Sequence, residues 1–148
     1  MSAAGEPLRD QIALTVALYA RAVDSRDWDL LGSCFTEDAE VVYRGYNSYD
    51  GRDAVVAGCR RSLVRFRETR HLLGDCAVEF NADPMGADSR CYLIATHLRD
   101  EPDGETSRFT LGGTYADRLV LRDGAWLIRE RILDQEWASG DPRAMRWD

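Results

Sequence analysis

The sequence contains no lysine, and all 19 of its basic residues are arginine. Without an ε-amino group, Schiff-base catalysis, anchoring of pyridoxal phosphate and a phosphate-loop lysine are excluded. Histidine is nearly as scarce, with two in 148 residues, and Cys34, Cys59, Cys76 and Cys91 show no C-x-x-C spacing, so zinc-ligand patterns fail as well. The four cysteines read as reduced thiols serving as small core hydrophobes. No stretch approaches the ~18 continuous apolar residues of a membrane span, and MSAAGEPLRD lacks the basic segment and apolar run of a secretory leader. A cytoplasmic location is the expectation. Positive charge is in deficit, with 19 basic against 26 acidic residues and a net charge of −7. That balance repels phosphate backbones and anionic membranes, so neither nucleic acid nor membrane is an expected partner.

What is present is ordinary globular material, 45% hydrophobic and 30% charged. A single domain spanning residues 1–148 is expected, with a core from about 9 to 137 and a polar C-terminal tail. Folding at this length buries about 68–70% of the unfolded chain's surface, enough for a core and an internal cavity. Leu8, Ile12, Val16, Tyr19 and Val23 recur at steps of three and four and predict an amphipathic helix. Trp28, Leu31 and Phe35 predict a second, short helix behind a cap at Ser25 or Asp27. Glu40–Arg44 reads as a strand and Gly45–Gly51 as a loop, and Asp53–Phe66 returns to helical spacing. Strands then follow: Arg70–Leu73 and Cys76–Phe80 about a Gly74-Asp75 turn, Arg90–Arg99, Phe109–Leu121 and Trp126–Leu133. Asn81–Ser89 and Asp100–Ser107 are the intervening loops. Helices first and strands afterwards predict an α+β fold with helices on one face of an antiparallel sheet. Gly112 and Gly113 should bend the long strand, curving the sheet around a pocket.

The scarce residues are the ones to follow. His71 shares a strand face with Leu73, and His97 shares one with Cys91, Leu93 and Ala95, so both imidazoles are candidates for a cavity wall. Asp24 ends the inward stripe of the first helix, one turn beyond Ala20. A carboxylate buried there needs a partner, and without lysine the partner is an arginine or a histidine. A His-Asp pair fixes the imidazole tautomer and raises its basicity as a general base, but spacing alone does not pair Asp24 with either histidine. A helix-terminal cap facing solvent is the alternative role for Asp24. His71, His97 and Asp24 could also form a 2-His-1-carboxylate iron site. The Arg60, Arg61, Arg65 and Arg67 run reads as a solvated face or subunit contact.

Four segments carry a family resemblance: YARAVDSRDWDLLGSCFTEDAEV, YDGRDAVV, ETRHLL and LGGTYADRLVLRDGAWLIRERI. Together they resemble the SnoaL-like branch of the nuclear transport factor two-like superfamily, within it the group of scytalone dehydratase, bile-acid dehydratase and hexachlorocyclohexane dehydrochlorinase. The resemblance implies a cone-shaped curved sheet wrapped around a long N-terminal helix with two further helices. It maps a catalytic dyad onto Asp24 and His71. Tyr19 matches a tyrosine of the bile-acid enzymes, Tyr43 and His97 match pocket residues of scytalone dehydratase, and Arg131 matches an arginine of the dehydrochlorinase. Val23 stands where scytalone dehydratase has tyrosine. The implied activity is a cofactor-free elimination of water from a small apolar ring substrate such as a polyketide or steroid. His71 would act as base, Tyr19 or Tyr43 as donor to the substrate carbonyl, His97 as proton source for the leaving hydroxyl and Arg131 as stabiliser of developing charge. Isomerisation or polyketide cyclisation by the same dyad, and a non-catalytic assembly subunit of the same fold, are the alternatives. The likeness also implies a homo-oligomer, a trimer ahead of a dimer, and the open face of a curved sheet, bearing Tyr92, Ile94 and Leu98 or their opposite-face neighbours, would need cover.

Overall fold

A computed structural model describes residues 5–82 and 85–146. Three helices precede most of the sheet: α1 (Gly5–Ser25), α2 (Trp28–Ser33) and α3 (Arg52–Leu63). The six strands are β1 (Phe35–Tyr43), β2 (Asn47–Asp50), β3 (Glu68–Phe80), β4 (Gly86–Asp100), β5 (Thr106–Arg122) and β6 (Ala125–Gly140). They form one sheet in the order β2-β1-β6-β5-β4-β3. The fold is α+β, as the element order predicts, but the sheet is mixed: β1 runs parallel to β6 and every other pair is antiparallel. The single helix between β1 and β3, α3, and the four-strand run that follows bring the chain back to β1 in the same sense. No helix among the described residues is long and apolar enough to cross a membrane.

Four residues of the stripe read from the sequence, Ile12, Val16, Tyr19 and Val23, are buried on the face α1 lays on the sheet, whereas Leu8 is exposed. Thr15 Oγ1 donates to the Trp126 carbonyl at 2.8 Å, tying that face to β6. On β4 the alternation separates buried Cys91, Leu93, Ala95 and His97 from exposed Tyr92 and Ile94. Leu72, Tyr92, Ile94 and Trp137 thus stand exposed on the convex side, whereas Leu98 is half-buried.

Four local expectations change. Phe35 begins β1 instead of closing α2, because Asp27 caps a helix of only six residues and Phe35 is drawn into the core beside Ile128. The Gly45–Gly51 stretch folds back as a hairpin strand, β2. Gly74 and Asp75 are a bulge inside one continuous β3 and not a hairpin turn, since Leu73 pairs with Leu93 and Cys76 with Cys91, leaving two residues opposite Tyr92. The final strand runs on to Gly140, and the tail then makes a 3₁₀ turn, Pro142–Met145, that buries Ala144. The paired glycines do mark a register shift in β5, where a Cβ at Gly113 would lie 2.2 Å from the Asp134 carbonyl oxygen. Of the Asn81–Ser89 loop, residues 83 and 84 lie outside the described residues, and β4 begins at Gly86.

Candidate active site

Between α1, α3 and the concave face of the sheet lies a cavity of about 260 Å³. Its floor is Leu93, Ala95, Leu111 and Leu133, and its polar groups include Tyr19, Tyr43, Arg65, His71, His97 and Tyr115. A concave pocket with convergent polar groups is a common form of a small-molecule site.

Asp24, at the end of α1, meets His71 on β3. Its Oδ1 lies 2.7 Å from His71 Nδ1, and its Oδ2 accepts the His71 backbone N–H at 2.8 Å. Thr69, one residue before Arg70 on the same strand, donates its hydroxyl to Oδ1 at 3.0 Å. Burial pushes the Asp24 carboxyl upward, yet the bonds from His71 and Thr69 outweigh it and hold the group below its ordinary range. With Nδ1 committed to a carboxylate, Nδ1 is the ring nitrogen that donates, and Nε2 is the uncommitted nitrogen of a side chain that lines the cavity. Asp24 itself stands behind His71 and does not line the cavity.

Arg26 was not foreseen from the sequence. It follows the helix end with φ +60°, and its Nη1 donates to Thr69 Oγ1 at 2.8 Å and to the Val23 carbonyl. The guanidinium thereby buttresses the threonine that buttresses Asp24. Nothing in its spacing signalled this, because the contact depends on where α1 ends relative to β3.

His97 occupies the neighbouring strand, its ring centroid 5.8 Å from that of His71 and 4.9 Å from Phe66. Burial and the neighbouring His71 push its pKa down to about 4, and its Nδ1 is buried without a hydrogen-bond partner. A ring kept neutral is a poor proton source, so its surroundings do not support the expected role as acid for a departing hydroxyl. Asp24 spends both oxygens on His71 and Thr69, and among the described residues no three His, Cys, Asp or Glu side chains are grouped to hold a metal ion.

Opposite the dyad, the Tyr19 and Tyr43 hydroxyls are 2.8 Å apart, and the Tyr43 hydroxyl is 3.7 Å from Cys59 Sγ. Burial raises both phenols well above their ordinary value, so each keeps its proton. One proton joins the pair, and in the contact between Tyr43 and Cys59 either group can be the donor.

Arg131 is a correction. It is fully buried and does not line the cavity: Nε and Nη2 bind the two oxygens of Asp117, its cross-strand partner, at 2.7 Å each. Its Cζ lies 4.2 Å from the Tyr19 ring centroid and 4.0 Å from that of Tyr115. A guanidinium so deep requires a carboxylate, and that pairing turns it away from the site. It underlies Tyr19 instead of facing a ligand. Arg65 departs from the solvated-face reading in the other sense, for it lines the cavity and stacks over Phe66 at 4.8 Å. Met145, from the tail, also reaches the cavity wall.

Residues 7–132 match the SnoaL-like domain, and the chain belongs to that family. A curated relative, the terrestric acid biosynthesis cluster protein E of Penicillium crustosum, is 34% identical over 140 residues, covering 90% of this chain and 88% of the relative. Among solved structures, a scytalone dehydratase-like protein of Novosphingobium aromaticivorans superposes with a TM-score of 0.84 at 25% identity, covering 94% of this chain and 91% of that one. A type-2 hexachlorocyclohexane dehydrochlorinase shares the fold with a TM-score of 0.81 at 18% identity, covering 90% of this chain and 88% of that one.

Proposed function

We propose that the protein is a cofactor-free lyase that removes water from a small, mostly apolar ring substrate carrying a carbonyl, with His71 as base. The observation carrying this reading is the 2.7 Å contact between His71 Nδ1 and Asp24, which leaves Nε2 as the uncommitted nitrogen of a side chain that lines a partly open cavity. Nε2 takes the proton from the carbon next to the carbonyl, and the released electron pair moves to the carbonyl oxygen. A hydroxyl of the Tyr19–Tyr43 pair donates to that oxygen as its charge grows, an interaction strengthened where water is excluded. The Asp24 carboxylate balances the imidazolium. The electron pair then returns, the bond to the β-hydroxyl breaks, and the imidazolium gives its proton to the departing oxygen, releasing water and an enone.

A neutral His97 leaves His71 as the sole proton source for a departing hydroxyl; in a second reading no hydroxyl leaves and the same dyad shifts a double bond or closes a ring. A polyketide or steroid skeleton suits either reaction. The two part in a panel of cyclic β-hydroxy ketones and their β,γ-unsaturated analogues. Water loss with growth of conjugated-enone absorbance supports the lyase. Turnover of the unsaturated analogues alone supports the isomerase, and a folded His71→Ala variant with near-normal turnover overturns both. Activity should survive overnight chelation; loss on chelation with recovery by iron would instead favour the 2-His-1-carboxylate site. We also propose self-assembly, a trimer ahead of a dimer, supported by the exposed Leu72, Tyr92, Ile94 and Trp137. A monomer in light scattering at micromolar concentration would refute it.

A further inference from the structure

Away from the cavity's polar set, two thiols face each other across the sheet. Cys76 on β3 and Cys91 on β4 are direct register partners, and their Sγ atoms are 2.7 Å apart. Opposed residues of an antiparallel pair have Cα atoms about 4.5–5.5 Å apart, inside the roughly 4.4–6.8 Å range a disulfide accepts. The bulge at Gly74 and Asp75 ends at Cys76, and Cys91 Sγ also contacts the Gly74 carbonyl at 3.1 Å. Cys91 is 1% exposed, whereas Cys76 is half-exposed on the edge strand of the sheet. Cys34 and Cys59 have no sulfur neighbour of this kind; their sulfurs meet the Leu30 carbonyl and the Tyr43 hydroxyl.

We propose that Cys76 and Cys91 are a redox-active dithiol, a modification site at which a low-molecular-weight disulfide of the glutathione type converts the pair into a disulfide joining β3 to β4. The accessible sulfur reacts first. Cys76, as thiolate, attacks one sulfur of the external disulfide, whose S–S bond breaks and releases one thiolate. Cys91 loses its proton to that leaving thiolate and attacks Cys76 Sγ, expelling the second thiolate, which takes its proton from water. The protein dithiol is oxidised by two electrons, and the external disulfide is reduced to two thiols. The contact with Cys91 holds the Cys76 thiol below its ordinary value against the opposing effect of burial, which supports Cys76 as the attacking group. The link fastens the strand carrying His71 to the strand carrying His97, and it stands independently of the reaction proposed for the cavity.

The test is incubation of the full chain in a series of reduced and oxidised glutathione, alkylation of remaining thiols, and tryptic digestion. Cleavage after Arg70, Arg90 and Arg99 puts Cys76 alone in peptide 71–90 and Cys91 alone in peptide 91–99. The expected result is those two peptides joined, two alkylated cysteines instead of four, and a thermal midpoint higher by about 5–10 °C that dithiothreitol reverses. Cys91→Ala should stop at a glutathione adduct on Cys76, and Cys76→Ser should leave Cys91 unmodified; the second variant, at the half-exposed position, decides if the first does not fold. Four alkylatable thiols at every glutathione ratio, or linkage through Cys34 or Cys59, would overturn the proposal.

Discussion

Two buried acid–base pairs sit under the same helix and do opposite things. Asp24 meets His71 at the cavity wall, and Asp117 meets Arg131 behind Tyr19, each at 2.7 Å. The Asp117–Arg131 side chains are fully sealed, and the guanidinium keeps its proton at any working pH, so that pair holds strands and aromatic rings in place. The Asp24–His71 side chains retain slight exposure, 15% and 8%, and the imidazole lines the cavity. The partner's chemistry and its access to the cavity, not burial alone, separate the proposed site from the brace.

The comparison breaks first at His71. His71→Ala should lower turnover on an accepted ring substrate by on the order of 10² to 10⁴, with circular dichroism showing the fold intact. Asp24→Asn should cost nearly as much, and the double variant little more than the worse single one, because the two act as a unit. Additive losses would show that they act separately.

On the brace side the readout is stability. Asp117→Asn leaves the Arg131 charge buried and unpaired, and urea unfolding should show a loss of about 3–5 kcal/mol. Replacing both partners, Asp117→Leu with Arg131→Met, should recover most of that loss. An Asp117→Asn protein as stable as the parent would mean that the pair is no brace.

His97 adds a pH dependence that neither pair supplies. Its ring titrates near 6.5 when unfolded and about 4 when folded, so between those values the unfolded chain binds the extra proton. Stability is therefore full above about pH 6.5 and declines as pH falls towards 4, by about 3 kcal/mol in all. His97→Gln should flatten that decline in urea titrations run across the window. An unchanged slope would assign the acid sensitivity to other groups.

The smallest effect belongs to the phenols. Tyr19→Phe and Tyr43→Phe each remove one hydroxyl, and whichever faces the substrate carbonyl should lower turnover about tenfold, on the order of 1 kcal/mol. Tyr19→Phe keeps the ring over Arg131, so its thermal midpoint should stay close to that of the parent.

Much of the scaffold was legible because it is periodic. The α1 stripe and the β4 alternation follow from side-chain spacing, and the segments around Asp24, His71 and Gly112 carry the family likeness. What misled was punctuation whose meaning depends on the partner strand. Gly74-Asp75 has the composition of a turn, but both flanking segments pair with β4 and make it a bulge. The parallel β1–β6 pairing left no local mark, and Arg131 matched a relative's pocket arginine although Asp117 turns it away.

The amino-acid order by itself determined that lysine chemistry is absent, that helices precede a strand-rich half, and that one acid closes an inward helical face. Tertiary structure decided which histidine that acid meets. Asp24 and His71 are 47 positions apart, and whether they touch depends on how α1 crosses β3 and on the register of that strand against β4. Those relations come from packing between whole elements, to which periodicity within any one element is blind.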